Sequence, residues 1–172
     1  MSADLHLNIE YRFRTDKMRP VIAGNYSRIG GYDLFAALTG ARNFLSKPIL
    51  IPPRGFPRDA CWALKSLYYW QILDSPNEEP RVPNHCTKKE ATKYARQANV
   101  EERTIGTVNF ISNPDFHHAT YLTRAETIAA CEYSGYDISQ SHRDFQIALD
   151  ILSLVDSHYG EGASRFVLWV CG

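Results

Sequence analysis

The sequence predicts an α+β fold, with a small antiparallel sheet pairing the N- and C-terminal strands and about five helices packed on one face. Three observations carry this expectation. Asp4, His6, Asn8 and Glu10 alternate strictly with Leu5, Leu7, Ile9 and Tyr11, the period of a half-buried strand. Two threonines followed three residues later by glutamate, Thr87–Glu90 and Thr123–Glu126, have the spacing of helix capping boxes. The chain closes on Arg165-Phe166-Val167-Leu168-Trp169-Val170-Cys171, a run of branched and aromatic residues apolar enough for a central strand.

After the first strand, charge and proline interrupt the pattern from Thr15 to Pro20, and Pro20–Ala23 returns briefly as an edge strand before Gly24. Gly30 and Gly31 break the chain. Leu34, Phe35 and Leu38 then recur at helical spacing in a short helix over Tyr32–Leu38 that ends near Gly40. Pro48, Pro52, Pro53 and Pro57 frame an extended loop, because each proline lacks the amide proton that regular structure needs. A helix starts around Pro57 or Arg58 and carries Trp62, Leu64, Leu67, Tyr68 and Trp70. Leu73 to Pro83 reads as a surface loop. Helix follows the first capping box to about Ala98, and Thr107–Ile111 is a short strand. The second box opens a helix through Glu132. Ser139 or Ser141 caps the longest helix, whose stripe is Phe145, Ala148, Leu149, Leu152 and Val155, and Gly160 and Gly162 stop it.

At 172 residues the chain suits one domain, 1–172, able to bury a core without disulfides. Lysine plus arginine (19) equals aspartate plus glutamate (19), so no global field draws in nucleic acid or an anionic membrane. No apolar run near either end approaches the roughly 20 residues that cross a bilayer, and Asp4 and Glu10 fall where a signal peptide would be apolar. A cytoplasmic protein is expected. Cys61, Cys86, Cys131 and Cys171 form no C-x-x-C pair, which argues against a thioredoxin-like site or a zinc ribbon and for buried thiols.

Set in order, these pieces carry a resemblance. Asp4-x-His6-x-x-x-Glu10, then Gly31-Tyr32-Asp33-Leu34-Phe35-Ala36-Ala37-Leu38 with Ala41-Arg42-Asn43, then Pro53-Arg54-Gly55-Phe56-Pro57-Arg58-Asp59 resemble a family of small phage and prophage proteins. Members typically begin Met-Gly-Cys-Asp-Ile-His. Asp115-x-His117 leading into Tyr121-Leu122-Thr123-x-x-Glu126, and the strand Arg165 to Trp169, continue the likeness. The chain departs from the pattern at Ser2-Ala3, at His118 in place of the usual serine, and at the terminal Val170-Cys171-Gly172. The resemblance implies a phage origin, and with it the host cytoplasm as the place of action.

Asp4, His6 and Glu10 on one strand face suit a divalent ion such as manganese, zinc or iron, with Asp115, His117 and His118 completing the shell from a loop. An ion there would make hydroxide available near neutral pH, the usual route to hydrolysis. His85 and Cys86 are further candidates to join the histidine pair. Arg42, Asn43, Arg54 and Arg58 lie beside glycines and prolines, where guanidinium forks grip a small anionic ligand. Arg12, Arg14, Lys17 and Arg19 read instead as a hairpin edge that blocks aberrant pairing. No phosphate loop, nucleophile elbow or dinucleotide fingerprint is present. The expected function is a small phage-type accessory protein whose polar pocket binds a divalent metal or a small anionic ligand; metal-dependent hydrolysis is the chemistry a bound ion would supply, and whether the chain is an enzyme stays open at this point. The alternative is a non-catalytic inhibitor that binds a host defence or nucleic-acid-processing protein.

Overall fold

The computed structural model describes residues 4–13, 17–22, 32–44 and 46–172. The expected features at Ser2-Ala3, Arg14, Ala23, Gly24, Gly30 and Gly31 lie outside the described residues. The chain forms two compact units, the first made of residues 1–61 and 118–172 and the second of residues 62–117.

The first unit is built on a four-stranded sheet in the order β2-β1-β8-β7. β1 (Asp4–Arg12) pairs antiparallel with β2 (Met18–Ile22) on one side and with β8 (Ser164–Cys171) on the other. The expected pairing of the terminal strands is therefore present. Its register sets Leu5 against Val170, Leu7 against Leu168 and Ile9 against Phe166. Those side chains form one face and pack against Leu34, Phe35 and Leu38 of α1 (Tyr32–Thr39), Ala130 and Cys131 of α4 (Arg124–Ser134), and Phe145, Leu149 and Leu152 of α5 (Arg143–Tyr159). The helical stripes read from the sequence for α1 and α5 are core residues, except Val155, which is half-buried.

Local chemistry explains where these helices begin and end. Thr123 Oγ1 accepts from the Glu126 amide while the Glu126 carboxylate accepts from the Thr123 amide, so two orphan donors are satisfied at once. Gly135 ends α4 at φ 72°, a left-handed cap that a residue without Cβ adopts at no steric cost. The cap of α5 is His142, one residue past the expected Ser141, while Asp137 caps a short 3₁₀ turn at Ile138–Gln140.

The second unit holds α2 (Trp62–Tyr68), α3 (Lys88–Tyr94) and a sheet in the order β4-β3-β6-β5. β3 (Tyr69–Leu73) runs parallel to β4 (His85–Thr87) and antiparallel to β6 (Val108–Ser112), which also pairs antiparallel with β5 (Glu102–Ile105). This unit corrects three expectations. The helix carrying Trp62 stops at Tyr68, and Trp70 is on a strand. The helix behind the Thr87 box ends at Tyr94, short of Ala98. The helix expected to start around Pro57 or Arg58 begins at Trp62. A compact cluster of Cys86, Ala91 and Ile111, with Trp70, Ile72 and Tyr94 against it, closes the second unit.

β7 (Phe116–Leu122) corrects a fourth expectation, because His117 and His118 sit on a strand and not on a loop.

Candidate functional site

The polar face of β1 is not a wet surface. Asn8 is 1% exposed and Glu10 0% exposed, and across the ladder Val167 and Trp169 are equally sealed. The cover is the proline-rich segment 52–61, extended because its prolines cannot donate. Its Gly55 amide donates to the Ala119 carbonyl of β7 at 2.9 Å, and its Phe56 ring lies 6.0 Å from Trp169. The antiparallel register therefore creates a row of pairs, sealed in its middle and open at the Asp4 end: Asp4 with Cys171, His6 with Trp169, Asn8 with Val167, and Glu10 with Arg165.

At one end of the row Glu10 is fully engaged. Its Oε1 accepts from Arg165 Nε at 2.8 Å and Nη2 at 2.5 Å, and its Oε2 accepts from the Cys61 amide at 2.9 Å. Arg165 Nη2 also donates to Asp59 Oδ1 at 2.8 Å, and Arg12 stands 3.6 Å from the other Asp59 oxygen. Burial pulls the Arg165 guanidinium down, but hydrogen bonds and charge from Asp59 and Glu10 outweigh it and leave the cation more firmly protonated than usual. The Arg165 guanidinium also lies 4.9 Å from the Tyr121 ring centroid.

At the other end His6 stacks on Trp169, with centroids 5.4 Å apart and planes 13° from parallel. Its Nε2 stands 3.0 Å from Cys171 Sγ. Between the two ends, both the Oδ1 and Nδ2 atoms of Asn8 are buried without a hydrogen-bond partner.

The structure thus brings together only part of the expected metal shell. His6, Asn8 and Glu10 share one face of one strand, with Asp4 exposed at its start. Both Glu10 oxygens are already used. Asp115 and His117 belong to the second unit and His118 to the first. Asp115 is exposed in a turn, its amide donating to Asn113 Oδ1 at 3.0 Å, and His118 has a left-handed φ of 52°. Among the described residues, no three His, Cys, Asp or Glu side chains gather as a group able to hold an ion.

The expected anion-gripping residues are spent on structure or stand apart. Arg42 Nη2 donates to the Gly172 carbonyl at 3.1 Å, and Asn43 closes its loop by bonding both the amide and the carbonyl of Lys47. Arg54 forks onto Glu126 at 3.2 and 2.6 Å while lying 5.3 Å from the Tyr121 centroid, and Arg58 is exposed.

Sequence reading missed Cys171, Trp169, Arg165 and Asp59. A signal for three of them was available, since pairing the terminal strands with Asp4 opposite Cys171 places an arginine on Glu10 and a tryptophan on His6.

With the site's geometry established, comparison of the sequence with family models, with curated proteins and with solved structures finds no match. No helix among the described residues is long and apolar enough to cross a membrane.

Proposed function

We propose that this chain is an accessory protein of the phage type it resembles, acting in the host cytoplasm by binding a small polar ligand on the covered face of β1. Asn8 carries the reading. A buried carboxamide that makes none of its hydrogen bonds costs about 1–3 kcal/mol, and the cost disappears when a ligand supplies them. Asn8 is 1% exposed and both of its polar atoms lack partners. Its two neighbours on the strand face, His6 and Glu10, are held by Trp169 and Arg165, and of the three it is Asn8 whose two polar side-chain atoms are both unused.

The test is Asn8→Leu, which keeps the number and branching of the side-chain heavy atoms and removes the polar ones. Native mass spectrometry of wild-type protein purified without chelator is expected to show a bound small molecule that the variant lacks, and elemental analysis of the same sample reads any ion. A variant more stable than wild type, with nothing bound to either protein, overturns the proposal.

A further inference from the structure

The four cysteines divide sharply. Cys61, Cys86 and Cys131 are 7%, 4% and 0% exposed, whereas Cys171 is half-buried. Burial pushes the Cys86 thiol up to about 11 and the Cys131 thiol up to about 12, which keeps both protonated and inert.

Cys171 differs in kind as well as in exposure. Its sulfur is 3.0 Å from His6 Nε2, within reach for transfer of the thiol proton. The imidazole is held in place by its stack on Trp169, the residue directly across the ladder. With the ring proton on Nδ1, Nε2 is the accepting nitrogen. The neighbouring residue, Gly172, is fixed through its carbonyl by Arg42 Nη2 at 3.1 Å. Two charged side chains border the pair among the described residues, Asp4 across from Cys171 and the Arg42 guanidinium beside Gly172. A nucleophile, a base within reach and a third group that orients the base are the parts of a thiol site.

We propose that Cys171 and His6 form a nucleophilic pair that captures small, soft carbon electrophiles. His6 Nε2 takes the thiol proton, the sulfur forms a bond to carbon, and the leaving group departs with the electrons of the broken bond. The imidazolium then returns the proton to solvent. Nothing in this step depends on the ligand proposed for Asn8, and it uses the thiol that sequence reading assigned to the core.

Iodoacetamide applied to the folded protein at neutral pH tests the pair, with peptide mapping to locate the adduct. Cys171 is expected to be alkylated first, about tenfold or more faster than glutathione, while the three sealed thiols stay unlabelled. His6→Phe keeps an aromatic ring against Trp169 but removes the base, and should bring Cys171 down to the glutathione rate. His6→Asn serves the same purpose if the larger ring perturbs folding, which circular dichroism reports. Wild-type Cys171 reacting no faster than glutathione overturns the proposal. So does fast labelling that survives loss of His6 in a folded variant.

Discussion

Arg165 and Glu10, paired across the ladder from opposite ends of the chain, form a buried fork in which one carboxylate oxygen accepts from both Nε and Nη2 at 2.8 and 2.5 Å. Glu10 is 0% exposed and Arg165 11%. Removing one partner strands a buried charge. Arg165→Met is therefore expected to cost about 3–5 kcal/mol in urea unfolding, while Glu10→Leu with Arg165→Met recovers much of that loss. A single variant as stable as wild type would show that the fork contributes nothing.

Acid should loosen the segment that covers this face. Burial raises the Asp59 carboxyl, but its hydrogen bond to Arg165 and the charges of Arg165 and Arg12 outweigh burial and hold it below the ordinary value. Glu126 is likewise held low against burial, by Arg54 and by the Thr123 cap. A carboxyl depressed in the folded state stabilises fully above its unfolded value, near about 4, and that contribution is lost as pH falls through the folded value. Stability should fall on acidification below that point, and Asp59→Asn should flatten part of the slope in a series of urea melts.

The Thr123 box governs α4, which seats Ala130 and Cys131 in the core of the first unit. Thr123→Ala removes the acceptor for the Glu126 amide and should lower stability by about 1 kcal/mol. Denaturant midpoints at constant slope would establish it.

The two faces of the first unit's elements should respond very differently to truncation. Leu7 is 0% exposed in the core, so Leu7→Ala is expected to cost about 2–5 kcal/mol. Leu154 is 60% exposed on α5, and Leu154→Ser should stay within about 0.5 kcal/mol. Equal effects in thermal melts would contradict the assignment of the α5 stripe.

Local pattern made the first unit legible. The alternation of β1 separated Leu5, Leu7 and Ile9 from the polar side chains, the Thr123 box marked the start of α4, and the apolar closing run identified β8. These signals are carried by neighbours in sequence, whose spacing is set by the geometry of a single strand or helix turn. Of the second sheet only β6 was legible, as the strand expected over Thr107–Ile111. Tyr69–Leu73 follows a helix without punctuation, and its strand conformation is set by pairing with residues 85–87 and 108–112.

The sequence by itself determined which residues share a face of β1; only the tertiary structure decided that both faces are covered. Alternation reports a period of two and says nothing of what lies above the polar side. Glu10 is a buried ion-pair partner and not an open ligand because Arg165, 155 residues away, arrives through the ladder register. His6 meets Cys171 for the same reason, since antiparallel pairing brings together side chains that no local spacing connects.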